Sequence, residues 1–295
     1  MGKRLAAGVA SALFGCAAAP LGAPAAPAPR PRAAALSEPP VARAEPTPPP
    51  ASEPVEEPAP PRFTCPDGMA LVLRVQGPYC VDRWEASLVM VEPGGSAKPW
   101  PPNQRVDGKE SRISAVTVPG TKPQGYISGK QAARACEHAG KRLCEIDEWV
   151  LACRGPARTI YPYGNERRAR VCNDRYKKLD NHPVTRLFEK HAPPGTDPAR
   201  MWWPEWMNDP RLFDLDHSVA PTGSFAGCTN EYGVYDMVGN LHEWVADEEG
   251  TFFGGYLMDT FQNGEGCEYR TTAHPYDYHD YSTGFRCCAD ARRDE

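Results

Sequence analysis

Ten cysteines spread between residues 65 and 288 constrain this chain more than any other feature: Cys65, Cys80, Cys136, Cys144, Cys153, Cys172, Cys228, Cys267, Cys287 and Cys288. No two stand in a C-x-x-C pair, so zinc-finger and thioredoxin-like readings lose their main support. An even number in an exported chain reads instead as a disulfide framework. Export is indicated at the N-terminus, where Lys3 and Arg4 precede ten apolar or small residues, Leu5 to Phe14. That is the layout of a secretory signal over residues 1–15, and ten residues cannot span a bilayer as a mature helix.

The signal ends in Leu13-Phe14-Gly15-Cys16, which resembles the bacterial lipobox. The resemblance makes Cys16 the expected lipidation site and the chain an exported, lipid-anchored protein of the cell envelope, in the outer membrane or periplasm. Residues 17–62 hold 15 of the 33 prolines with almost no large apolar side chain. Such a segment cannot bury enough surface to offset its ordering entropy, so residues 16–62 are expected to form an extended tether. In polyproline II it would reach roughly 140 Å. From residue 63 to residue 295 the chain carries 27 basic and 33 acidic residues, a net charge of −6. Nucleic acid is not an expected partner, since phosphate binding needs a clustered cationic face. The acid excess is compatible with a hard cation.

Two helices are legible inside the domain. Ser128 is a plausible N-cap for a helix through Lys130 to Ala139, with small apolar residues on one face before Gly140. Ile146, Trp149, Val150 and Cys153 then repeat at helical spacing. Cys144 and Cys153 flank that second helix about 13 Å apart, too far to bond to each other. Composition alone indicates an α+β domain with many turns.

Read in order, "GYISGKQAARACEHAGKRLCEIDEWVLACRG", "YPYGN", "GVYDMVGNLHEWVAD", "GGY" and "GFRCC" resemble the formylglycine-generating enzyme (sulfatase-modifying factor) domain, with "YCVDRWEAS" as its early strand. The resemblance covers roughly Cys65 to Asp290. It implies a variant of the C-type-lectin fold, low in regular secondary structure, cross-linked by disulfides and pinned by calcium. It also implies two disulfides, Cys136 with Cys287 and Cys153 with Cys267. For the other six, elimination and proximity favour Cys65 with Cys80, Cys172 with Cys228, and Cys144 with Cys288 without fixing the pairing.

The family's oxidase chemistry needs two cysteines that hold copper(I), in a segment opening on a Gly-Gly turn; soft thiolates are the ligands copper(I) prefers. Counted from Gly254 and Gly255, those two positions fall on Asp259 and Gly264. Copper is therefore not expected. In the stretch from residue 233 to 247, the resemblance implies a calcium site using the side chain of Asp236, the carbonyls of Gly239 and Leu241, and the carboxylate of Glu243. A second calcium site maps to Asn173, Asp174 and Asp214. His242 is expected at the surface.

Two further groups could bind a ligand. Trp202, Trp203 and Trp206 read as an aromatic loop suited to stacking on sugars or peptides, or else as cover for the core. The stretch "HPYDYHDY" gathers His274, Asp277, His279 and Asp280, which could hold a transition metal or simply form a solvated loop. No G-x-S-x-G, H-E-x-x-H or P-loop is present. The expectation is a calcium-stabilised binding module without the catalytic cysteine pair, its ligand an envelope protein, peptide or glycan. The competing expectation is an enzyme of the same superfamily with a shifted or different site, such as a nonheme metal at the His274–Asp280 cluster or chemistry at Glu243.

Overall fold

The structure is a computed structural model that describes residues 61–175 and 182–294. The signal over residues 1–15, the lipidation site Cys16 and nearly all of the tether lie outside the described residues. Among the described residues no helix is long and apolar enough to cross a membrane.

The described residues contain thirteen short strands, four α-helices and three 3-10 helices joined by long irregular stretches. The first half contains β1 (Phe63–Thr64), β2 (Met69–Val72), β3 (Tyr79–Asp82), β4 (Ser87–Val91), β5 (Ala97–Pro99) and β6 (Ile113–Val116). There follow α1 (Gly129–His138), β7 (Arg142–Leu143), α2 (Ile146–Arg154), α3 (Pro183–His191) and α4 (Pro204–Met207). The C-terminal part adds β8 (His242–Trp244), β9 (Phe252–Phe253), β10 (Arg270–Thr271), β11 (Thr283–Phe285), β12 (Cys287–Asp290) and β13 (Arg292–Arg293). They pair as four small sheets in the orders β1-β13, β10-β9-β8-β11, β2-β3-β12-β7 and β5-β4-β6. Only β8 and β11 run parallel, with Glu243 opposite Gly284.

Local chemistry sets the helix starts. The Ser128 hydroxyl accepts the Gln131 N–H at 3.3 Å while the Gln131 side chain accepts the Ser128 N–H at 3.1 Å. This reciprocal box satisfies two orphan donors. At α2 the Glu148 carboxylate accepts the Glu145 N–H at 3.0 Å. Each helix then buries one stripe: Ala132, Ala135 and Cys136 from α1, and Trp149, Ala152 and Cys153 from α2.

The ten cysteines of the domain form five disulfides: Cys65–Cys80, Cys136–Cys287, Cys144–Cys288, Cys153–Cys267 and Cys172–Cys228. These are the five pairs set out above. Adjacent residues on a strand point to opposite faces, so Cys287 and Cys288 tie β12 to α1 on one side and to the start of α2 on the other. Two core clusters flank that strand, one holding Trp149, Phe253 and Cys288, the other Trp244, Phe285 and Cys287. A third cluster, around Tyr126, Leu212, Phe213, Leu241 and Tyr256, packs under α3.

Two expectations are corrected. The tryptophan segment is not an irregular loop: Pro198–Trp202 makes a 3-10 turn and α4 contains Trp206. Pro198 and Pro204 each open one of these turns, where a missing N–H and a fixed φ favour helix starts. His242 is not at the surface but lies buried in β8, because both faces of that strand are covered.

Candidate functional site

The segment from residue 233 to 247 is a turn feeding a buried strand. Asp236, Gly239 and Asn240 all have positive φ, at 60°, 79° and 60°. Only glycine fits at 239, where a Cβ would meet the Asn173 carbonyl oxygen at 2.4 Å. The close approach lets Asn240 N–H donate to that same carbonyl at 3.0 Å. The Asn173 and Asn240 side chains join at 2.8 Å, and Asn240 reaches Glu85 Oε2 at 2.5 Å. Glu85 Oε1 accepts the Leu241 N–H at 3.2 Å.

Glu243 points into the core. Its Oε2 accepts the Trp149 indole N–H at 2.7 Å and Arg286 Nε at 2.6 Å, and its Oε1 accepts Arg286 Nη2 at 2.6 Å. Arg286, fully buried, also donates to the carbonyls of Asp82 at 3.0 Å and Tyr235 at 2.8 Å. Three buried carboxylates, Glu85, Asp236 and Glu243, thus surround one guanidinium. Burial first, then Asp236 and Glu243, push the Glu85 carboxyl well up. Burial pushes Asp236 up to about 6, against the Gly223 N–H that donates to it at 2.7 Å.

This geometry bears directly on calcium. Both Glu243 oxygens already face donors, and its charge is balanced by Arg286, so the set Asp236, Gly239, Leu241 and Glu243 does not fit a calcium ion as drawn from sequence. Among the described residues no three of His, Cys, Asp and Glu are gathered closely enough to hold an ion by side chains. The second set fits in part. Asn173 Oδ1 and Asp174 Oδ1 are buried and accept no hydrogen bond, while the other Asp174 oxygen lies 2.9 Å from Arg167. Asp214 is exposed and faces Asn103 at 3.5 Å.

The two positions that the resemblance marks for thiols lie in the loop after the Gly254-Gly255 turn. Gly255, at φ 79°, lets the chain fold back so closely that a Cβ would sit 2.4 Å from the Asp259 carbonyl oxygen. The half-buried Asp259 accepts the Tyr269 hydroxyl at 2.7 Å. Gly264 packs its backbone against Glu268. Cys267, the nearest cysteine in sequence, is committed to Cys153.

Asp259 borders a cavity of about 410 Å³ whose wall includes Trp202, Tyr256, Phe261, Tyr281, His182 and His242. A second cavity of about 630 Å³ adjoins it through the shared residues Trp202, Met207 and His274. Sequence reasoning missed His182, which stands just before α3 as its N-cap: its Nδ1 accepts the Val184 N–H at 3.3 Å.

The other sequence candidates divide. His274 stacks on Tyr278 at 3.8 Å, and His279 faces Asn208 at 2.8 Å, so the two imidazoles serve different contacts. Trp202 lines both cavities, Trp203 carries Arg200 over its ring at 4.4 Å, and Trp206 packs on Phe188 at 4.9 Å. The three tryptophans therefore form no single platform.

Comparison with known proteins supplies the family context. The pattern of the sulfatase-modifying factor enzyme 1-like domain matches residues 90–291. The inactive C-alpha-formylglycine-generating enzyme 2 of Bos taurus is 27% identical over 182 residues, 58% of this chain and 51% of the relative. The formylglycine-generating enzyme of Mus musculus is 27% identical over 139 residues, covering 47% of this chain and 30% of the relative. The chain thus spans about half or less of the length of these relatives. Among solved structures, PvdO from Pseudomonas aeruginosa aligns at 17% identity, TM-score 0.37, over 72% of this chain and 81% of its own.

Proposed function

Because the chain belongs to the sulfatase-modifying factor enzyme 1-like family, whose pattern covers most of it, we propose that it is a non-catalytic member serving as a ligand-binding module. One observation carries this reading: every cysteine of the described domain is in a disulfide, and the two positions marked for thiols hold Asp259 and Gly264. A carboxylate and a glycine cannot provide the soft two-sulfur ligation that copper(I) prefers. The family scaffold persists around the place of the missing chemistry, and the cavity beside Asp259 is the ligand site of this reading. The relative named inactive is in keeping with it.

The export signal, the lipid anchor at Cys16 and the tether complete the proposal. In this reading the domain belongs to the cell envelope, with an envelope protein, peptide or glycan as its partner. Calcium belongs to the same reading, seated on the side of Asn173 and Asp174, whose unpartnered oxygens suit a hard cation. It would act there by engaging the Asp174 oxygen that does not face Arg167 and fixing the turn that Asn173 shares with Asn240.

The test is incubation of the purified protein with copper(I), oxygen and a cysteine-containing sulfatase peptide, followed by aldehyde detection. No aldehyde is the expected result, with an active formylglycine-generating enzyme as positive control. Copper-dependent aldehyde formation would end the non-catalytic reading.

A further inference from the structure

The cavity beside Asp259 carries charge of one sign. Among the described residues no lysine or arginine lines it, and its acidic side chains are Asp259 and Asp280, the latter with its carboxyl pushed up by burial. The imidazoles in its wall do not offset them. Burial pushes His182 down to about 4, burial followed by the nearby His274 pushes His242 down to about 3, and burial holds His274 below its ordinary value against the pull of Asp280, so His182 and His242 are neutral at physiological pH.

Polar groups around the cavity differ in what they have left to offer. Asp280 is buried and already accepts the Ser282 N–H at 2.8 Å, the Ser282 hydroxyl at 2.7 Å and the Tyr278 hydroxyl at 2.6 Å. Asp259 is half-buried, with one oxygen on Tyr269 and the other facing only the Gln262 N–H at 3.4 Å. It is the carboxylate best able to meet a ligand. His242 is 8% exposed, and its Nδ1 makes no hydrogen bond. A buried polar atom in that condition is costly unless a ligand satisfies it. Around these groups stand the rings of Trp202, Tyr256, Phe261 and Tyr281, and aromatic faces attract cations.

We propose that this cavity takes an alkylammonium group, its nitrogen between the Asp259 carboxylate and the aromatic faces and its hydrocarbon chain against Met207 and Met258. The proposal rests on reading the domain as a binding module and names the chemistry of its ligand. Two carboxylates without a lining cation oppose an anion. The same ammonium chemistry comes from a free amine or from a lysine side chain of a polypeptide, and about 410 Å³ admits either.

The experiment titrates the full chain with pentylammonium and with its neutral isostere 1-pentanol, following heat and the tryptophan side-chain resonances. Pentylammonium is expected to bind roughly tenfold or more tighter than the alcohol. Asp259→Asn should erase that preference while circular dichroism and melting temperature stay unchanged. N-acetyl-lysine methylamide separates the sources: binding at least as tight as that of pentylammonium assigns a polypeptide lysine, and weaker binding assigns a free amine. Equal affinity for amine and alcohol, no amine binding at about 10 mM, or selective binding of N-acetylglucosamine overturns the proposal. If the variant does not fold, the wild-type comparison of amine and alcohol still decides. Absence of amine binding in a protein that also forms no aldehyde removes this inference and leaves the binding-module reading standing.

Discussion

Arg286 and Glu243 face each other in the fully buried centre of the domain, with Arg286 Nε 2.6 Å from one carboxylate oxygen and Nη2 2.6 Å from the other. The pair joins the single residue between β11 and β12 to the middle of β8, and Trp149 of α2 closes it at 2.7 Å. A buried ion pair is about neutral against an apolar substitute, but removing one partner strands a charge. Arg286→Met is expected to destabilise the fold by about 3–5 kcal/mol. Arg286→Met with Glu243→Leu should recover much of that loss, read from urea denaturation under non-reducing conditions. A single variant as stable as the parent would show that Glu243 has another partner.

The same cluster makes stability depend on pH. Burial raises the Asp236 carboxyl to about 6 from an ordinary 3.8, so the folded chain holds that proton more tightly than the unfolded chain. Stability is then present at low pH and lost as pH rises from about 4 through about 6, by an amount on the order of 3 kcal/mol. Asp236→Asn keeps an acceptor for the Gly223 N–H and tolerates the positive φ. It should raise the melting temperature at pH 7.5 and leave it nearly unchanged at pH 4. A lower melting temperature at pH 7.5, seen only when calcium is supplied, would restore Asp236 as a calcium ligand.

Calcium at Asn173 and Asp174 predicts a measurable stabilisation. Adding calcium to chelator-treated protein should raise the melting temperature, as any ligand selective for the folded state does. Asp174→Asn should abolish the rise. An equal rise in that variant, or none in the parent, would remove calcium from this place.

The disulfide frame predicts a graded loss. Cys136–Cys287 closes a loop with a sequence separation of 151, and the chain-entropy relation gives about 5 kcal/mol for a loop of that size. Cys65–Cys80, with a separation of 15, gives about 3 kcal/mol. Paired Cys→Ala replacements compared by denaturation should follow that order. A reversed order would show that packing around the half-cystines outweighs the loop term.

Much of the frame was legible because its signals are local or carried by family likeness. Ser128 and Gln131 are three residues apart, and the spacing of Ile146, Trp149 and Cys153 marks a helix without any tertiary knowledge. The charged centre was not legible. Arg286 meets Glu243 across 43 positions and Asp82 across 204, and Glu85 meets Leu241 across 156; no periodicity encodes such meetings. Glu85 stood in a stretch read only as a strand. A charged residue amid apolar neighbours was the available hint, as it was for Arg286 before Cys287. His242 was misplaced for a related reason, since a polar residue in a strand reads as outward-facing until both faces prove covered. His182 lies outside every motif, and only the packing of α3 brings it to the cavity wall.

The central claim is that the domain keeps the family scaffold while lacking the thiols of the oxidase. Its most direct test is mass spectrometry of the purified protein after alkylation without reduction. The account predicts no alkylated cysteine from Cys65 to Cys288 and five linked peptide pairs, with Cys267 joined to Cys153. Two alkylated thiols, one of them at Cys267, would contradict it and would mean that a sulfur ligand stands ready beside the Asp259 cavity.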